Sequence, residues 1–488
     1  MNLLMAYPAK EEFALSSIGF MWLCKIAEET NEINVTRIST DTDIVRNNNI
    51  DAIAFSMSFD FDYLGMLEIL DKLNIPFYKS DRGEKYPLIF AGGPVITTNP
   101  RPYEDFLDFM IIGDGEGNFR NILNIINNNN KESALNKLKD IEGVYFAGRK
   151  TKKVTEKLER VIYSPIVNNN SYFKNTFIIE TARGCMNRCA FCTASYTNLP
   201  FRNYDYEKII ESIDLGLSKT NKIALLGAQI SAHPKFNNIM KYIRDKIESG
   251  NNIQLGISSL RADSVTPEMV QTLVLGGQKN STIAIEAASE RLRKFINKNI
   301  TEKQILNAVK ISRENGLKGL KVYSMIGIPS ETQKDIDEFI RLGKKIKSEN
   351  KGFNIEFSFS TFVPKPNTPF QWAKRENTKS LESKQKYLEK ELSKIGIKSK
   401  FSSPKWDFWQ TVLSRADKNI TPLLVYVYKN GGKIGAYKSG IKELNIDINK
   451  TIDGYDFTEE LPWDCIEIEP RKELLIKEYN RLLKFVNE

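Results

Sequence analysis

Three cysteines in close succession are the part of this chain best suited to chemistry: Cys185-Met186-Asn187-Arg188-Cys189-Ala190-Phe191-Cys192. In a reducing compartment, thiols spaced C-x3-C-x2-C speak for a metal site rather than for disulfides. Three thiolates can each bind one iron of a cubane and leave the fourth iron open, whereas ferredoxin-type clusters are closed by a fourth cysteine. A zinc site would need a fourth ligand to complete its tetrahedron. Only His233 or a distant cysteine could supply one. His233 is the sole histidine, so a His-rich metal site, a Ser-His-Asp triad or a Cys-His pair would each have to use it. Cys24 and Cys465 stand in apolar or aromatic surroundings and read as small buried hydrophobes.

The elements that would position the cluster follow from the apolar pattern. From about residue 175, six strand candidates begin at Phe177, Lys222, Ile253, Ser281, Gly319 and Asn354, separated by helical stretches such as 206–217 and 302–314. Six consecutive β/α units suggest a partial (β/α)6 barrel of TIM type, open where an eight-unit barrel would close. The cysteines fall directly after its first strand. Before the barrel, short apolar runs at Leu3, Asn34, Ala52, Leu88 and Phe109 alternate with helical patterns such as 63–73. That alternation predicts an α/β domain with an open parallel sheet. Gly92-Gly93-Pro94 and Gly113 to Gly117 follow two of its strands, at the carboxyl ends where such sheets bind ligands. Asparagine runs at 47–49, 127–130 and 168–170 suit loops. Past Pro369 the expectation is a helix over about 379–394, a β-like stretch from Pro422 to Tyr437 and a terminal helix from about 471. The predicted division is 1–150, 171–370 and a small α+β unit, 371–488.

Composition bounds the partners. The chain has 488 residues and a formal charge of +9, from 70 basic and 61 acidic side chains. No basic stripe interleaved with aromatics marks a nucleic-acid surface, and the excess reads as a solvated Lys-rich exterior. The first residues lack a charged segment followed by a long apolar one, and no window approaches the ~20 apolar residues of a membrane span. The expectation is a soluble cytoplasmic protein.

The cysteine spacing, the aromatic Phe191 before the last cysteine and the loop after barrel strand one together resemble the radical S-adenosylmethionine (SAM) superfamily. The resemblance implies a 4Fe-4S cluster on Cys185, Cys189 and Cys192, with SAM chelating the open iron and cleaved reductively to a 5′-deoxyadenosyl radical. It also implies an electron donor such as flavodoxin or ferredoxin, and an unidentified substrate. On the same resemblance, Phe191 lies beside the adenine, and Gln229 stands at the end of strand two where the family carries an acidic residue for the methionyl amino group. Ser258 and Arg261 end strand three and suit ribose and carboxylate oxygens. Glu286 ends strand four as a polar SAM contact. In Met325-Ile326-Gly327-Ile328-Pro329-Ser330-Glu331-Thr332, Gly327 would let backbone approach the adenine while Ser330 caps the next helix.

The N-terminal sheet is similar to the Rossmann-like cobalamin-binding domain of one branch of that superfamily. Ala91 to Pro94, Asn99-Pro100, Gly113 to Glu116, Ser414 to Asp417 and Leu461 to Asp464 resemble that branch. It implies cobalamin as a third candidate cofactor, and with it methylation of an unactivated carbon. The Asp-x-His-x-x-Gly loop, whose histidine ligates cobalt in many such domains, is missing here. Two alternatives stand beside this reading. A methylthiotransferase-type modifier of RNA or protein would need three more thiolates in the N-terminal domain, where only Cys24 is available. A non-catalytic iron–sulfur electron carrier would account for the cysteines but not for the strand-end segments.

Overall fold

The computed structural model describes residues 1–43 and 49–487; Asn47 and Asn48 of the first asparagine run lie outside the described residues. The chain forms two compact units, each assembled from separate stretches: 1–157, 162–175 and 410–471 in the first, and 158–161, 176–409 and 472–488 in the second. The expected third unit, 371–488, is therefore divided between them. Its first part completes the barrel, and its middle part packs on the N-terminal sheet.

In the first unit, strands β1 (Asn2–Tyr7), β2 (Asn34–Ser39), β3 (Ala52–Ser56), β4 (Leu88–Gly92), β5 (Phe109–Ile111) and β6 (Val144–Tyr145) form one sheet in the order β2-β1-β3-β4-β5-β6. All pairings are parallel except β5 with β6. The five expected strands are present. Their central residues are buried, as helices on both faces require: Leu3, Ala52, Ile53, Ile89 and Ala91 have no exposed surface. The order 2-1-3-4-5 reverses direction between β1 and β3, which opens a crevice at the carboxyl ends there.

The loops around that crevice are packed by the chain itself. A Cβ on Gly65, in the helix Tyr63–Lys72, would lie 2.0 Å from the Pro8 carbonyl oxygen. Gly93 has φ +112° and faces the Met57 carbonyl, and Gly113 has φ +98° and faces Val154. A β-bridge pairs Gly113 with Val154, just beyond strand β7 (Thr151–Lys152).

The stretch 422–437 is helical, not β-like. Helices Thr421–Lys429 and Ile434–Glu443 join at Gly431 and Gly432, both with positive φ. Val425, Tyr426, Val427 and Tyr428 carry strand propensity, but Pro422 sits in the first helical turn and Leu423, Leu424 and Val427 are buried together. This segment and the residues just before it are tied into the unit by several contacts. Tyr437 and Tyr63 share a hydroxyl contact of 2.5 Å, Asn99 Nδ2 donates to the carbonyls of Ser414 and Ala416, and Arg101 pairs with Asp417 at 2.9 Å. The strand Ile466–Glu467 pairs with β7.

The second unit is the barrel. Its strands are β8 (Thr176–Glu180), then the short pair β9 (Ala182–Arg183) and β10 (Arg202–Asn203), then β11 (Lys222–Leu226), β12 (Gln254–Ile257), β13 (Asn280–Glu286), β14 (Gly319–Ile326) and β15 (Asn354–Thr361). A seventh parallel strand, β16 (Lys398–Phe401), pairs with β15. The expected helix near 379–394, observed as Thr378–Lys394, is the crossover that delivers it. The strands run β8-β11-β12 and β13-β14-β15-β16, linked by a parallel bridge from Leu260 to Ile283.

Residues of one parity face the helices, as where Phe339 meets Phe357 and Phe359. Those of the other parity form an unusually polar inner face: Glu180, Ser258, Thr282, Glu286, Lys321, Tyr323, Glu356, Ser358, Ser360 and Lys400. Closed barrels fill this space with branched aliphatics. Side-chain caps start the helices after the strands: Asp205, Thr266, Ser289 and Thr301 each accept a backbone N–H of the first turn, worth about 1 kcal/mol apiece.

Candidate active site

The cysteine loop leaves β8 and returns through the two-residue ladder of β9 with β10, which closes its base. Glu180 anchors the exit: Arg183 Nη2 reaches its Oε2 at 2.8 Å, and the Tyr204 hydroxyl donates to the same oxygen at 2.7 Å. Gly184 has φ +79°, and a Cβ there would lie 2.3 Å from the Asn198 carbonyl oxygen, so the turn into Cys185 needs glycine. Within the loop, the Arg188 carbonyl accepts from the Tyr196 hydroxyl at 3.0 Å, and the Cys189 carbonyl accepts from the Cys192 N–H at 3.0 Å.

A turn more than a hundred residues later holds this loop from outside. After helix Glu290–Phe295, the Ile296 carbonyl accepts from the Ala190 N–H at 2.9 Å. Asn297, at φ +55°, donates through Nδ2 to the carbonyls of Arg188 at 2.8 Å and Asn187 at 3.4 Å. Lys298 then turns inward, with its Nζ 3.1 Å from Glu286 Oε1.

Cys185 and Cys189 are buried and Cys192 half-buried. Burial pushes the Cys189 thiol up to about 12, against the pull of Lys298 and Arg261. Burial also raises Cys192, opposed by hydrogen bonds from Ser195. Such thiols give up their protons to a metal rather than to water. Among the described residues no three His, Cys, Asp or Glu side chains converge tightly enough to hold a single ion.

The other expected residues gather unevenly. Gln229 lies beside Cys185, whose thiol points to its Oε1 at 3.7 Å; Asn187 donates both to that oxygen and to Cys185 Sγ. Ser258 donates to the Gly227 carbonyl at 3.3 Å. Arg261 donates through Nη2 to the Lys298 carbonyl at 2.6 Å and through Nε to Asp263 at 3.1 Å. Glu286 follows a bulge in β13, at φ +64°. Phe191 is partly buried and packs against the hydrophobic cluster that contains Ala190, Phe295 and Phe370. Gly327 has φ +78°, and a Cβ there would lie 2.7 Å from Leu381 Cδ2, so the position needs glycine. Ser330 does not cap the following helix. Thr332 does, with its N–H donating to Asp335 at 2.8 Å, while the Ser330 carbonyl accepts from Arg291.

Asn187, Asn297 and Lys298 were not singled out from sequence. The only local signal was a polar Asn297-Lys298-Asn299 stop after an amphipathic segment, which is ordinary for a helix end.

The chain carries both a three-cysteine loop after the first strand of a partial parallel barrel and a doubly wound sheet, and comparison with known proteins places it in a class of radical enzymes. Residues 11–146 match the family profile "Radical SAM proteins, N-terminal", and residues 179–343 match "Radical SAM superfamily". An uncharacterized protein of Methanocaldococcus jannaschii is 31% identical over 446 residues, 90% of this chain and 94% of that one. An uncharacterized methyltransferase of Pyrococcus horikoshii is 25% identical over 290 residues, 55% of this chain and 60% of that one.

Among solved structures, the cobalamin-dependent SAM radical enzyme OxsB with aqua-cobalamin bound superposes with TM-score 0.60 at 13% identity, over 100% of this chain and 80% of that one. The radical SAM methyltransferase TsrM of Kitasatospora setae gives 0.55 at 12% identity, over 73% and 72%. The chain belongs to the radical SAM superfamily. It is an enzyme of that superfamily, whose cofactors are a 4Fe-4S cluster and SAM. Among the described residues no helix is long and apolar enough to cross a membrane.

Proposed function

We propose that Cys185, Cys189 and Cys192 hold the cluster and that the chain abstracts hydrogen from a polar substrate admitted to the open barrel. The observation that carries this reading is the clamped loop: three thiols on a segment fixed by Tyr196, Asn297 and the Ile296 carbonyl. Cluster and SAM, when bound, supply one-electron cleavage of the sulfonium bond and so hydrogen abstraction from an unactivated carbon. The chain's part is to orient and to exclude water. Gln229 and Ser258, at the ends of β11 and β12, are the side chains that would meet SAM. Glu286 and Arg261 are occupied by Lys298 and Asp263 and act as supports.

Below them the hydroxyls of Tyr323, Ser358 and Ser360, with Lys321, Glu356 and Lys400, line the inner face. Tyr323 is 39% exposed, so this face is not packed shut. The test is anaerobic reconstitution with iron and sulfide, followed by SAM and dithionite. Formation of 5′-deoxyadenosine supports the reading, and a full cluster that leaves SAM uncleaved refutes it in favour of an electron carrier.

A second reading, cobalamin-dependent methylation, is favoured by the 2-1-3-4-5 sheet. The fit is incomplete. The only histidine, His233, is buried in the barrel unit with Nε2 2.9 Å from the Tyr204 carbonyl, and Gly93 and Gly113 clear space for Met57 and Val154. Titration with hydroxocobalamin decides: saturable binding lost in Gly93→Val supports methyl transfer, and no binding removes it. The methylthiotransferase alternative lacks thiols. Cys24 is 1% exposed within the sheet's core, and burial pushes it up to about 12.

A further inference from the structure

The turn that clamps the cysteine loop also carries a charge to it. Lys298 is a lysine with 7% exposure, in a place where burial normally excludes an ammonium unless it is paired. Its pairing is specific: Nζ meets Glu286 at 3.1 Å, and its own carbonyl is held by Arg261 at 2.6 Å. The residues on either side are fastened to other parts of the same site. Asn297 bonds the carbonyls of Asn187 and Arg188, the two residues before Cys189, and Asn299 Nδ2 donates to Asn297 Oδ1 at 2.8 Å. Lys298 therefore has little freedom to leave.

We propose that Lys298 and Glu286 form a positioning pair whose balance of charge sets the reduction potential of the cluster, an inference that rests on the cluster's assignment to Cys185, Cys189 and Cys192. Reducing the cluster adds one negative charge in a poorly solvated place. An ammonium nearby favours the added electron and a carboxylate disfavours it, and neither is screened well when buried. Burial acts to lower Lys298, but its ion pair with Glu286 opposes this, and the ammonium is held above its ordinary range. The pair thus presents a fixed cation and anion to the loop, not a proton switch.

The test uses the full chain reconstituted without SAM, its midpoint potential read by electron paramagnetic resonance in a dithionite titration, with iron and sulfide counted in parallel. Lys298→Gln should make the cluster about tenfold harder to reduce, a shift of about 59 mV for a one-electron couple. Glu286→Gln should shift it in the opposite direction. Lys298→Arg and the double variant Lys298→Gln/Glu286→Gln should lie near the wild type. A merely structural pair would not give opposite signs. Full clusters with unchanged potentials, or shifts of the same sign in both single variants, overturn the proposal. Should Lys298→Gln lose its cluster, Glu286→Gln decides alone, and an unmoved potential there is equally fatal. A wild type that holds no cluster would instead defeat the assignment to the three cysteines.

Discussion

At the scale of single residues, ligand count makes the sharpest prediction. Replacing Cys185, Cys189 and Cys192 together by Ala should abolish iron and sulfide retention and SAM cleavage, since no other thiol stands on that loop. Cys24→Ala and Cys465→Ala should keep both; iron analysis of each variant checks it. Asn297 offers a subtler test. Its positive φ suits asparagine or glycine, and its side chain fastens two carbonyls of the loop. Asn297→Gly should keep the backbone but lose the fastening, so the cluster should bleach faster in air than in the wild type; an unchanged bleaching rate would exclude a clamp.

Asp62 gives the pH prediction. Burial pushes its carboxyl up to about 6, against N–H donors from Phe59 and Ser58. With the folded value above the unfolded one, the native state binds the extra proton, so stability is greatest below about 4 and falls as pH rises through about 6. Asp62→Asn should flatten that slope in denaturant titrations, by on the order of 2–3 kcal/mol between the two ends. The three cysteines were legible from spacing alone. Lys298 was not, because what gives it a role is its ion pair with Glu286 and its place in the turn that fastens the cysteine loop, and no local pattern encodes either.

At the scale of elements, strands were legible wherever burial on one or both faces imposed a run or an alternation. All five strands at Leu3, Asn34, Ala52, Leu88 and Phe109, and all six from Phe177 to Asn354, formed near the expected places. β16 went unseen because Lys398 and Lys400 put charge on its inner face, leaving too little apolar pattern in Lys398–Phe401. The helices over 421–443 were misread because valine and tyrosine fit a half-buried strand as well as a helix packed on one side. Glycines at close approaches test how rigidly such elements meet. In Gly65→Ala the new methyl would fall 2.0 Å from the Pro8 carbonyl oxygen, so helix Tyr63–Lys72 must move off the loop after β1. The expected cost is roughly 1–3 kcal/mol, seen as a lower urea midpoint with little change in slope.

At the scale of the molecule, neither unit is one continuous piece of chain. A fragment ending near residue 175 should lack the helices 421–443 and expose Tyr63 and the surface around it, which Tyr437 otherwise covers. It should bind a hydrophobic dye strongly, whereas the same fragment joined by a flexible linker to 410–471 should not. The same threading imposes an order on synthesis. The N-terminal sheet leaves the ribosome first, yet the segment that seals it follows only after residues 176–409 have been made. At roughly 5–20 residues per second that delay is on the order of ten seconds to a minute. Throughout it the nascent sheet is a half-finished core whose open side must stay shielded from other chains until residues 410–471 arrive.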